Sequence, residues 1–380
     1  MLKSLSMAAV MMMMAGCGAA VAQTARWPEA KADAWYTKQP WLVGANYTPA
    51  NAINQLEFWQ AETFDPATID KELGWAAAIG MNTMRVYLHD LVWQQDAAGY
   101  RKRIDQFLGI SAKHGIRPML VLFDSCWDPF PALGKQRAPK PGVHNSGWVQ
   151  GPGAKALADP SQEARLEAYV KGVVGAFGKD SRVLAWDIWN EPDNMNDPAY
   201  IRQEPKNKQE MVLPLLKKAF AWARTAGATQ PLTSGLWQHP DWSKLEKLTP
   251  IERVQVEESD VISFHNYESA DSFRSRIEQL KGYKRPILCT EYMARGNGST
   301  FEGSLPVALE YGVAAINWGL VQGKTQTHLP WDSWRQPYTG GREPKIWFHE
   351  VFKNDGSPYR PEETKLIREL TQKAKAKKAA

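Results

Sequence analysis

The chain lacks several of the short patterns on which common catalytic and cofactor sites depend. Its seven histidines show no HExxH pattern and its three cysteines show no CxxC spacing, so the zinc sites built from these patterns are not indicated. It also has no calcium-loop pattern, no GxSxG elbow and no GxGxxG turn between a strand and a helix. The sequence therefore predicts no metal, no nucleotide cofactor and no serine-hydrolase mechanism.

One of the three cysteines falls in a segment typical of an export signal. Lys3 precedes a short apolar run over residues 7–15, and Ala20-Val21-Ala22 offers a cleavage site. The apolar run is too short for a comfortable membrane span. We expect residues 1–22 to be a signal peptide and the protein to be periplasmic or extracellular. The residues around Cys17 also resemble a bacterial lipoprotein processing site, so lipid anchoring at Cys17 is the alternative.

The sequence has no long run of one charge apart from its carboxyl end. Lysine and arginine number 46 against 41 aspartates and glutamates, and the run KAKAKKAA alone contributes four lysines. This run predicts a solvated, disordered basic tail over residues 371–380, with no surface for nucleic acid. No protein partner is indicated either.

Tryptophan, in contrast, is abundant. The chain has 17 tryptophans, whose large flat faces suit the apolar faces of sugar rings as well as a protein core. This composition favours a carbohydrate ligand over a nucleic acid.

Strands and helices alternate along the mature chain without a compositional break. The predicted strands are at 42–47, 82–88, 116–123, the segment ending in WDIWNEP, 232–237, 261–267, 286–291 and 313–318. Eight such units predict a single-domain α/β fold over residues 23–370, a (β/α)8 TIM barrel with long loops after strands three and eight. An open doubly wound sheet is the alternative, but it requires a glycine-rich turn where residues 44–47 read GANY.

Two cysteines remain in the mature chain, and we expect neither to be bonded. Cys126 follows strand three and Cys289 lies in strand seven, on opposite sides of a barrel and too far apart for a disulfide. Because Cys289 lies two residues before Glu291, we expect both side chains to point into the barrel.

The most informative segment is WDIWNEP, residues 186–192. An apolar, β-rich stretch ends abruptly at Asn190-Glu191-Pro192, since proline cannot continue the ladder. Glu191 is thereby placed at the tip of a strand with aromatic and amide neighbours, a suitable position for a general acid.

Other polar and aromatic residues lie at or near the ends of further strands. They are Arg85 in strand two, His265 and Tyr267 at strand six, Glu291 at strand seven and Trp318 at strand eight. The carboxyl ends of barrel strands meet at one face, so these side chains are expected to converge with Glu191.

Together these motifs resemble glycoside hydrolase clan A, and family 5 in particular, over nearly the whole mature chain. The resemblance implies a retaining β-glycosidase in which Glu291 is the nucleophile and Glu191 the acid/base. The family's other landmarks match Arg85, Asn190, His265, Tyr267 and Trp318. One departs, because the histidine usual after strand three is missing from FDSCWD. Asp124, Cys126, Trp127 or His89 is expected to fill that space.

A hydrolysis that retains the configuration of the anomeric carbon requires residues of these types. Two carboxyl groups roughly 5–5.5 Å apart are needed, one charged and one protonated at rest. Arg85 and Tyr267 are expected to hold Glu291 ionised. Asn190 is expected to bond the sugar's 2-hydroxyl, and Trp318 to form the floor of the sugar site.

The substrate is the least defined part of this prediction. The predicted loops carry tryptophans that are candidate sugar platforms, namely Trp127, Trp148, Trp237, Trp331 and Trp334. We expect an oligo- or polysaccharide of the β-1,4-glucan, mannan or xylan type. The loops after strands three and eight either close one end of a cleft, giving exo-action, or flank an open groove. The competing classes are a non-catalytic carbohydrate-binding barrel and a barrel hydrolase with paired acids but no covalent intermediate.

Overall fold

Eight parallel strands form the centre of the computed structural model, which describes residues 25–379. The strands are β1 (Val43–Asn46), β2 (Thr83–Tyr87), β3 (Met119–Asp124), β4 (Ala185–Asn190), β5 (Leu232–Thr233), β6 (Ile262–Asn266), β7 (Ile287–Tyr292) and β8 (Ala314–Trp318). They pair in the order β5-β4-β3-β2-β1-β8-β7-β6, so β1 pairs with β8 and the ring closes there. Between β5 and β6 a single bridge joins Leu236 to Phe264. The predicted barrel is confirmed. The alternative, an open doubly wound sheet, is wrong because the strands of such a sheet do not form a ring in chain order.

Helices surround the strands. They are α1 (Glu29–Thr37), α2 (Gln55–Trp59), α3 (Pro66–Ala78), α4 (Asp90–Lys113), α5 (Ala154–Ala158), α6 (Glu163–Phe177), α7 (Lys208–Thr225), α8 (Pro250–Glu258), α9 (Ala270–Lys281), α10 (Phe301–Tyr311) and α11 (Pro361–Ala379). Local sequence explains where they begin. Asp65 Oδ1 accepts hydrogen bonds from the backbone of Ala67 and Thr68, and Pro66 occupies the first turn of α3.

The barrel is apolar at its lower end and polar at its upper end. Trp27, just before α1, packs with Leu42, which precedes β1, and with the strand residues Met119 and Leu288, and it closes the bottom. At the other end the interior holds Arg85, which is fully buried. The expected position of the site, at the carboxyl ends of the strands, is where buried polar groups gather.

Strand seven differs from its prediction in register. Phe264 pairs with Cys289 and the next residue, His265, pairs with Glu291, so Thr290 is an extra residue in β7. Such a bulge interrupts the alternation of side chains. Cys289 therefore packs in the apolar cluster that includes Phe264, while Glu291 reaches the polar interior. The expectation that Cys289 and Glu291 share one face is wrong. Both described cysteines, Cys126 and Cys289, are unbonded as predicted.

The carboxyl end is helical where a disordered tail was expected. Helix α11 continues through residues 371–379, in a sequence of alanine and lysine that favours helix. Thr371 is buried, and Lys378 Nζ donates to the backbone oxygens of Thr37 (3.0 Å) and Gln39. These contacts fix the helix against the bottom of the barrel.

The expected signal peptide at 1–22, with Cys17, lies outside the described residues. From residue 25 to residue 379, the structure contains no helix long and apolar enough to cross a membrane.

Candidate active site

A cavity of about 530 Å³ opens at the carboxyl ends of the strands. Predicted site residues from four strands line it, namely Asn190, Glu191, Tyr267, Glu291 and Trp318. The structure therefore brings these predicted residues together in one cavity, at the carboxyl ends of the strands.

Glu191 is the first residue after β4, and its side chain enters the cavity. Its φ of 43° lies in the left-handed region, a strained conformation for glutamate of the kind found at functional sites. Oε1 lies 2.8 Å from His265 Nδ1, and Oε2 accepts hydrogen bonds from Asn194 Nδ2 (2.7 Å) and from Cys126 Sγ (3.2 Å). The carboxyl group is thus fixed by three side chains while it faces the cavity.

Glu291, on β7, lies across the barrel from Glu191. Its Oε1 accepts from Arg85 Nη1 (2.7 Å) and the Tyr87 hydroxyl (3.0 Å), and its Oε2 accepts from the Tyr267 hydroxyl (2.7 Å). Burial alone would raise the pKa of Glu291. The charges of His265 and Arg85, together with these hydrogen bonds, outweigh burial and hold the pKa below its usual range. Glu291 is therefore ionised and anchored.

Arg85 connects the two sides of the site. Its Nε and Nη2 donate to Asp187 Oδ2 at 2.9 and 2.8 Å, and Nη2 also donates to Asn190 Oδ1 at 2.7 Å. Its Nη1 bonds Asn46 Oδ1 as well as Glu291. One guanidinium thus orients the amide beside Glu191 and the carboxylate of Glu291.

The two glutamates face each other at short range. One carboxylate oxygen of Glu191, one of Glu291 and a ring nitrogen of His265 all lie within 4.8 Å of one another. The same three groups have the spacing of metal ligands, but Arg85 already bonds Glu291 and its positive charge opposes a cation there. An ionised carboxylate opposite a second carboxyl group can instead supply a nucleophile and a proton to one bond.

Cys126, from the segment after β3 in which the sequence pattern lacks a histidine, lies beside Glu191. Its Sγ accepts from Asn190 Nδ2 (3.3 Å) and donates to Glu191 Oε2. Asp124 lies one layer deeper and accepts from Asn190 Nδ2 at 2.9 Å. Burial raises the pKa of Asp124 to about 6, against the opposing effect of its hydrogen bonds. The Asn190 amide is therefore fixed by Arg85 on one side and by Asp124 and Cys126 on the other.

His89 lies outside the cavity, which corrects its prediction as a site residue. Its Nδ1 accepts from the backbone of Leu91 at the start of α4, and its Nε2 lies 3.0 Å from the carbonyl oxygen of Gln150. Both ring nitrogens are thus engaged with backbone, and the side chain is fully buried. His89 caps a helix instead of contacting a ligand.

Six of the predicted aromatic residues line the cavity, namely Trp127, Trp237, Tyr267, Trp318, Trp331 and Trp334. Trp318, at the end of β8, is partly exposed and lies against Tyr87, with ring centroids 5.9 Å apart. Trp237 lines the cavity after β5, held by a 2.7 Å hydrogen bond from its Nε1 to Asp193. Trp127 lines it after β3, although one face is stacked on Trp334.

Trp148 is not a platform. It is buried, and its Nε1 donates to Asp124 Oδ2 at 2.6 Å. Its ring supports Tyr87 and Trp318 from below, at centroid distances of 5.1 and 6.1 Å. The sequence does not reveal this role, because it cannot distinguish a loop tryptophan whose ring faces the cavity from one whose ring is buried beneath the loop.

Sequence reasoning also missed several residues of the polar network. Asp187, Tyr87 and Asn46 all contact Arg85, and Asn194 contacts Glu191. The sequence did contain a signal for Asp187. An aspartate within an apolar strand such as β4 needs a buried cation, and Arg85 was already a predicted site residue.

The chain is similar to a known family of proteins. The family model "Cellulase (glycosyl hydrolase family 5)" matches residues 47–335, a segment that contains both Glu191 and Glu291. No curated protein matches the chain.

Solved structures resemble the fold at low sequence identity. A GH5_18 variant from Streptomyces cattleya in complex with Manβ1-4GlcNAc has a TM-score of 0.58 and 14% identity, over 89% of this chain and 80% of that one. An exo-β-1,4-mannosidase from Opitutaceae bacterium strain TAV5 has a TM-score of 0.56 and 17% identity, over 88% and 60%. A hyperthermostable endo-1,4-β-D-mannanase from Thermotoga petrophila RKU-1 has a TM-score of 0.54 and 13% identity, over 87% and 99%.

Proposed function

Because the chain belongs to glycosyl hydrolase family 5, we propose that it hydrolyses β-linked glycans with retention, with Glu291 as nucleophile and Glu191 as acid/base. The observation that carries the proposal is the pair itself. One carboxylate oxygen of Glu191 lies within 4.8 Å of one of Glu291, which suits the short separation of retaining enzymes better than the wider separation of inverting ones.

In the first step, a carboxylate oxygen of Glu291 attacks the anomeric carbon and Glu191 gives its proton to the departing glycosidic oxygen. The sugar is then held as an ester of Glu291. Arg85 and Tyr267 keep the attacking carboxylate ionised and oriented. In the second step Glu191 takes a proton from water, the water oxygen bonds the anomeric carbon, and Glu291 is released as a carboxylate.

Two neighbours stabilise the sugar during these steps. Asn190, fixed by Arg85 and Asp124, offers its amide to the 2-hydroxyl, a contact that strengthens at the transition state. Trp318 supplies an apolar face beneath the reacting sugar.

The substrate class is a β-1,4-linked glycan of the glucan, mannan or xylan type. The similar solved structures include a complex with Manβ1-4GlcNAc, an exo-β-1,4-mannosidase and an endo-1,4-β-D-mannanase. Manno-oligosaccharides are therefore the first substrates to assay, with the gluco- and xylo-series beside them.

The roles of the two glutamates are separated by leaving group and by azide. Glu291→Ala removes the covalent route, so activity should fall on aryl glycosides and on oligosaccharides alike. Glu191→Ala should spare the first step with an acidic phenol leaving group but not with a natural glycan. Azide should then restore turnover and give a β-glycosyl azide, whereas rescue of Glu291→Ala should give the α-anomer.

The exposed Glu257→Ala on α8 is the matched control and should behave as wild type. Equal loss on both substrate types for Glu191→Ala, without azide rescue, would contradict the assignment. A wild-type protein that binds oligosaccharides without turning them over would support the carbohydrate-binding barrel instead.

We also propose that the protein is exported, from the pattern in residues 1–22. Mass spectrometry of the chain isolated from its native cells tests this. An amino terminus near residue 23 supports a cleaved signal peptide, a lipid-modified Cys17 supports anchoring, and an intact Met1 contradicts export.

A further inference from the structure

The loops after β3 and β8 are joined into one wall above the barrel. Residues 125–153 and 319–352 are connected by backbone and side-chain hydrogen bonds at several places. These include Asn145 N to Thr325 O (2.8 Å), Tyr338 N to Gly142 O (2.8 Å), Gln326 Nε2 to Lys140 O (2.8 Å) and His144 N to Ser333 Oγ (2.9 Å). These contacts make the two loops one ordered structure instead of two separate flaps.

Trp334 connects this wall to a third loop. Its ring stacks on Trp127, with centroids 5.2 Å apart and planes at 11°, and meets Tyr200 of the loop after β4 edge-on at 5.5 Å. Lys140 Nζ lies 5.0 Å from the same ring. Trp334 thus completes the wall at the point where the three loops meet.

The wall crosses one side of the barrel mouth. Strands β3 and β8 flank β1 and β2 in the ring, so a structure that joins their loops passes over the ends of β1 and β2. Among the described residues that line the cavity, none comes from the segments after β1 or β2. The lining outside the wall comes largely from the loops after β4, β5 and β6, so the cavity extends toward that side.

The wall also stands close to the nucleophile. His349, in the wall, has its ring 5.6 Å from that of Tyr267, whose hydroxyl bonds Glu291 at 2.7 Å. His349 and its neighbour His144, 5.4 Å away, line the same cavity as the two glutamates. A single side chain, Tyr267, therefore links the wall to Glu291.

The direction of the substrate follows from the proposed function, on which this inference rests. The reacting sugar lies over Trp318 and beside Asn190, on the walled side of the two glutamates. The leaving group then departs over β5, where Trp237 lies. We infer that the wall ends the cleft one sugar beyond the cleaved bond, so that the enzyme acts on non-reducing chain ends and releases single sugars.

Reducing-end-labelled β-1,4-linked hexasaccharides of glucose, mannose and xylose test this inference. In early digestion of the cleaved series, the labelled product should be the pentasaccharide, with the monosaccharide as its partner. The same hexasaccharide carrying a 4-O-methyl group on its non-reducing terminal sugar should be cut at least about 100-fold more slowly, because the added group meets the wall. Labelled products shorter than the pentasaccharide at low conversion, or comparable cutting of the blocked chain, would overturn the inference.

The failure of the proposed function is visible separately. Aryl β-glycosides of the three sugars report cleavage at a single sugar site without the wall. If none of these and none of the hexasaccharides is cleaved, the proposed function fails. If they are cleaved but the hexasaccharide is cut internally, only the inference about the wall fails.

Trp334→Ala tests the wall directly. Loss of the ring should raise the ratio of blocked-chain to free-chain cleavage at least about tenfold, a ratio that is independent of any common change in the rate of cleavage. Trp35→Ala is the matched control, since Trp35 packs at the bottom of the barrel against Trp27, and it should leave the ratio unchanged. An unchanged ratio in a folded Trp334→Ala protein would contradict the inference.

Discussion

His265 Nδ1 lies 2.8 Å from Glu191 Oε1 and 3.6 Å from Glu291 Oε2, so one imidazole spans both carboxyl groups of the site. Its Nε2 has no hydrogen-bond partner among the described side chains and backbone, and Gly235 leaves room for that edge of the ring, since a Cβ there would lie 3.2 Å from Nε2. The ring therefore acts on the site through Nδ1. It orients one glutamate by a hydrogen bond and lowers the pKa of the other by its charge.

Two substitutions separate these effects. His265→Asn keeps a short polar donor but no charge, so the pKa of Glu291 should rise. The acidic limb of the pH profile of kcat/KM should then move to higher pH, because Glu291 must be ionised to act and would stay protonated up to a higher pH. His265→Ala loses the donor too and should lower kcat by about 10- to 100-fold. An acidic limb that stays in place in both variants would show that the charge of His265 does not act on Glu291.

The pairing of Arg85 with Asp187 makes the arginine irreplaceable by lysine. The guanidinium reaches Asp187 through two nitrogens and Glu291 through a third, and a single ammonium group cannot reproduce this. Arg85→Lys should therefore lower kcat/KM by about 10² to 10³, with a small change in melting temperature. Arg85→Met should in addition lower the stability by about 3–5 kcal/mol, because it leaves Asp187 and Glu291 buried without a cation. Steady-state kinetics and urea unfolding measure the two effects, and a fully active Arg85→Lys would contradict the argument.

Much of the fold could be predicted because its signals are local. Asp65-Pro66 begins α3, and Leu166 and Tyr169 in α6 are buried as their helical spacing indicates. Glu191 was located because Pro192 ends a strand, a signal contained in adjacent residues. Such patterns do not depend on which strand lies next to which.

The parts that sequence missed depend on contacts between distant segments. The bulge at Thr290 exists only in the pairing of β6 with β7, so the orientation of Cys289 could not be read from β7 alone. His89 and Cys126 are both near strand ends, and only the packing of the loop after β3 brings Cys126 to Glu191 and turns His89 to the start of α4. The helical carboxyl end likewise depends on contacts with the chain near Thr37.

Both cysteines should behave as protected thiols. Burial raises the pKa of Cys126, and the nearby carboxylates of Glu191 and Asp124 raise it further; burial also raises that of Cys289. A chain beginning at residue 23 should therefore react slowly with a thiol reagent at pH 8 when folded. After denaturation without reductant, two thiols should be titrated. A titration that finds no free thiol would contradict the absence of a disulfide.

A buried ion pair fixes the loop that holds Asn194. Lys208 Nζ contacts Glu204 Oε1 at 3.0 Å and donates to the backbone oxygens of Asn194 (2.6 Å) and Ser125 (3.2 Å). Lys208→Met should cost about 3–5 kcal/mol of stability, since Glu204 is left buried without its cation. It should also lower kcat, because Asn194 positions Glu191.

The double variant Lys208→Met with Glu204→Gln is the control for this pair. Removing both charges should recover part of the lost stability, so the two costs should not add in a double-mutant cycle from urea unfolding. Strictly additive costs would show that the two side chains act independently.

Glu350 gives the fold a dependence on pH that can be measured without activity. Its side chain is fully buried within the wall, Thr327 donates to its Oε1, and its Oε2 has no partner in the described structure. Arg295 is the cation near it, but that guanidinium is already paired with Glu363 at 2.5 Å. Burial therefore raises the pKa of Glu350 from 4.5 to about 7.

The sign of the effect follows from this shift. Because the pKa of Glu350 is higher in the folded state than in the unfolded state, its protonated form favours folding. This contribution to stability is complete below about pH 4.5 and is lost as the pH rises through about 7. Glu350→Gln keeps a neutral group of similar shape, so it should match the wild type in stability at pH 4.5. At pH 8 it should be more stable than the wild type, by on the order of 2–3 kcal/mol, since each pKa unit corresponds to about 1.4 kcal/mol. Urea unfolding at several pH values measures the difference, with the exposed Glu302→Gln as control. A difference that does not grow between pH 4.5 and 8 would mean that Glu350 is not held protonated by the fold.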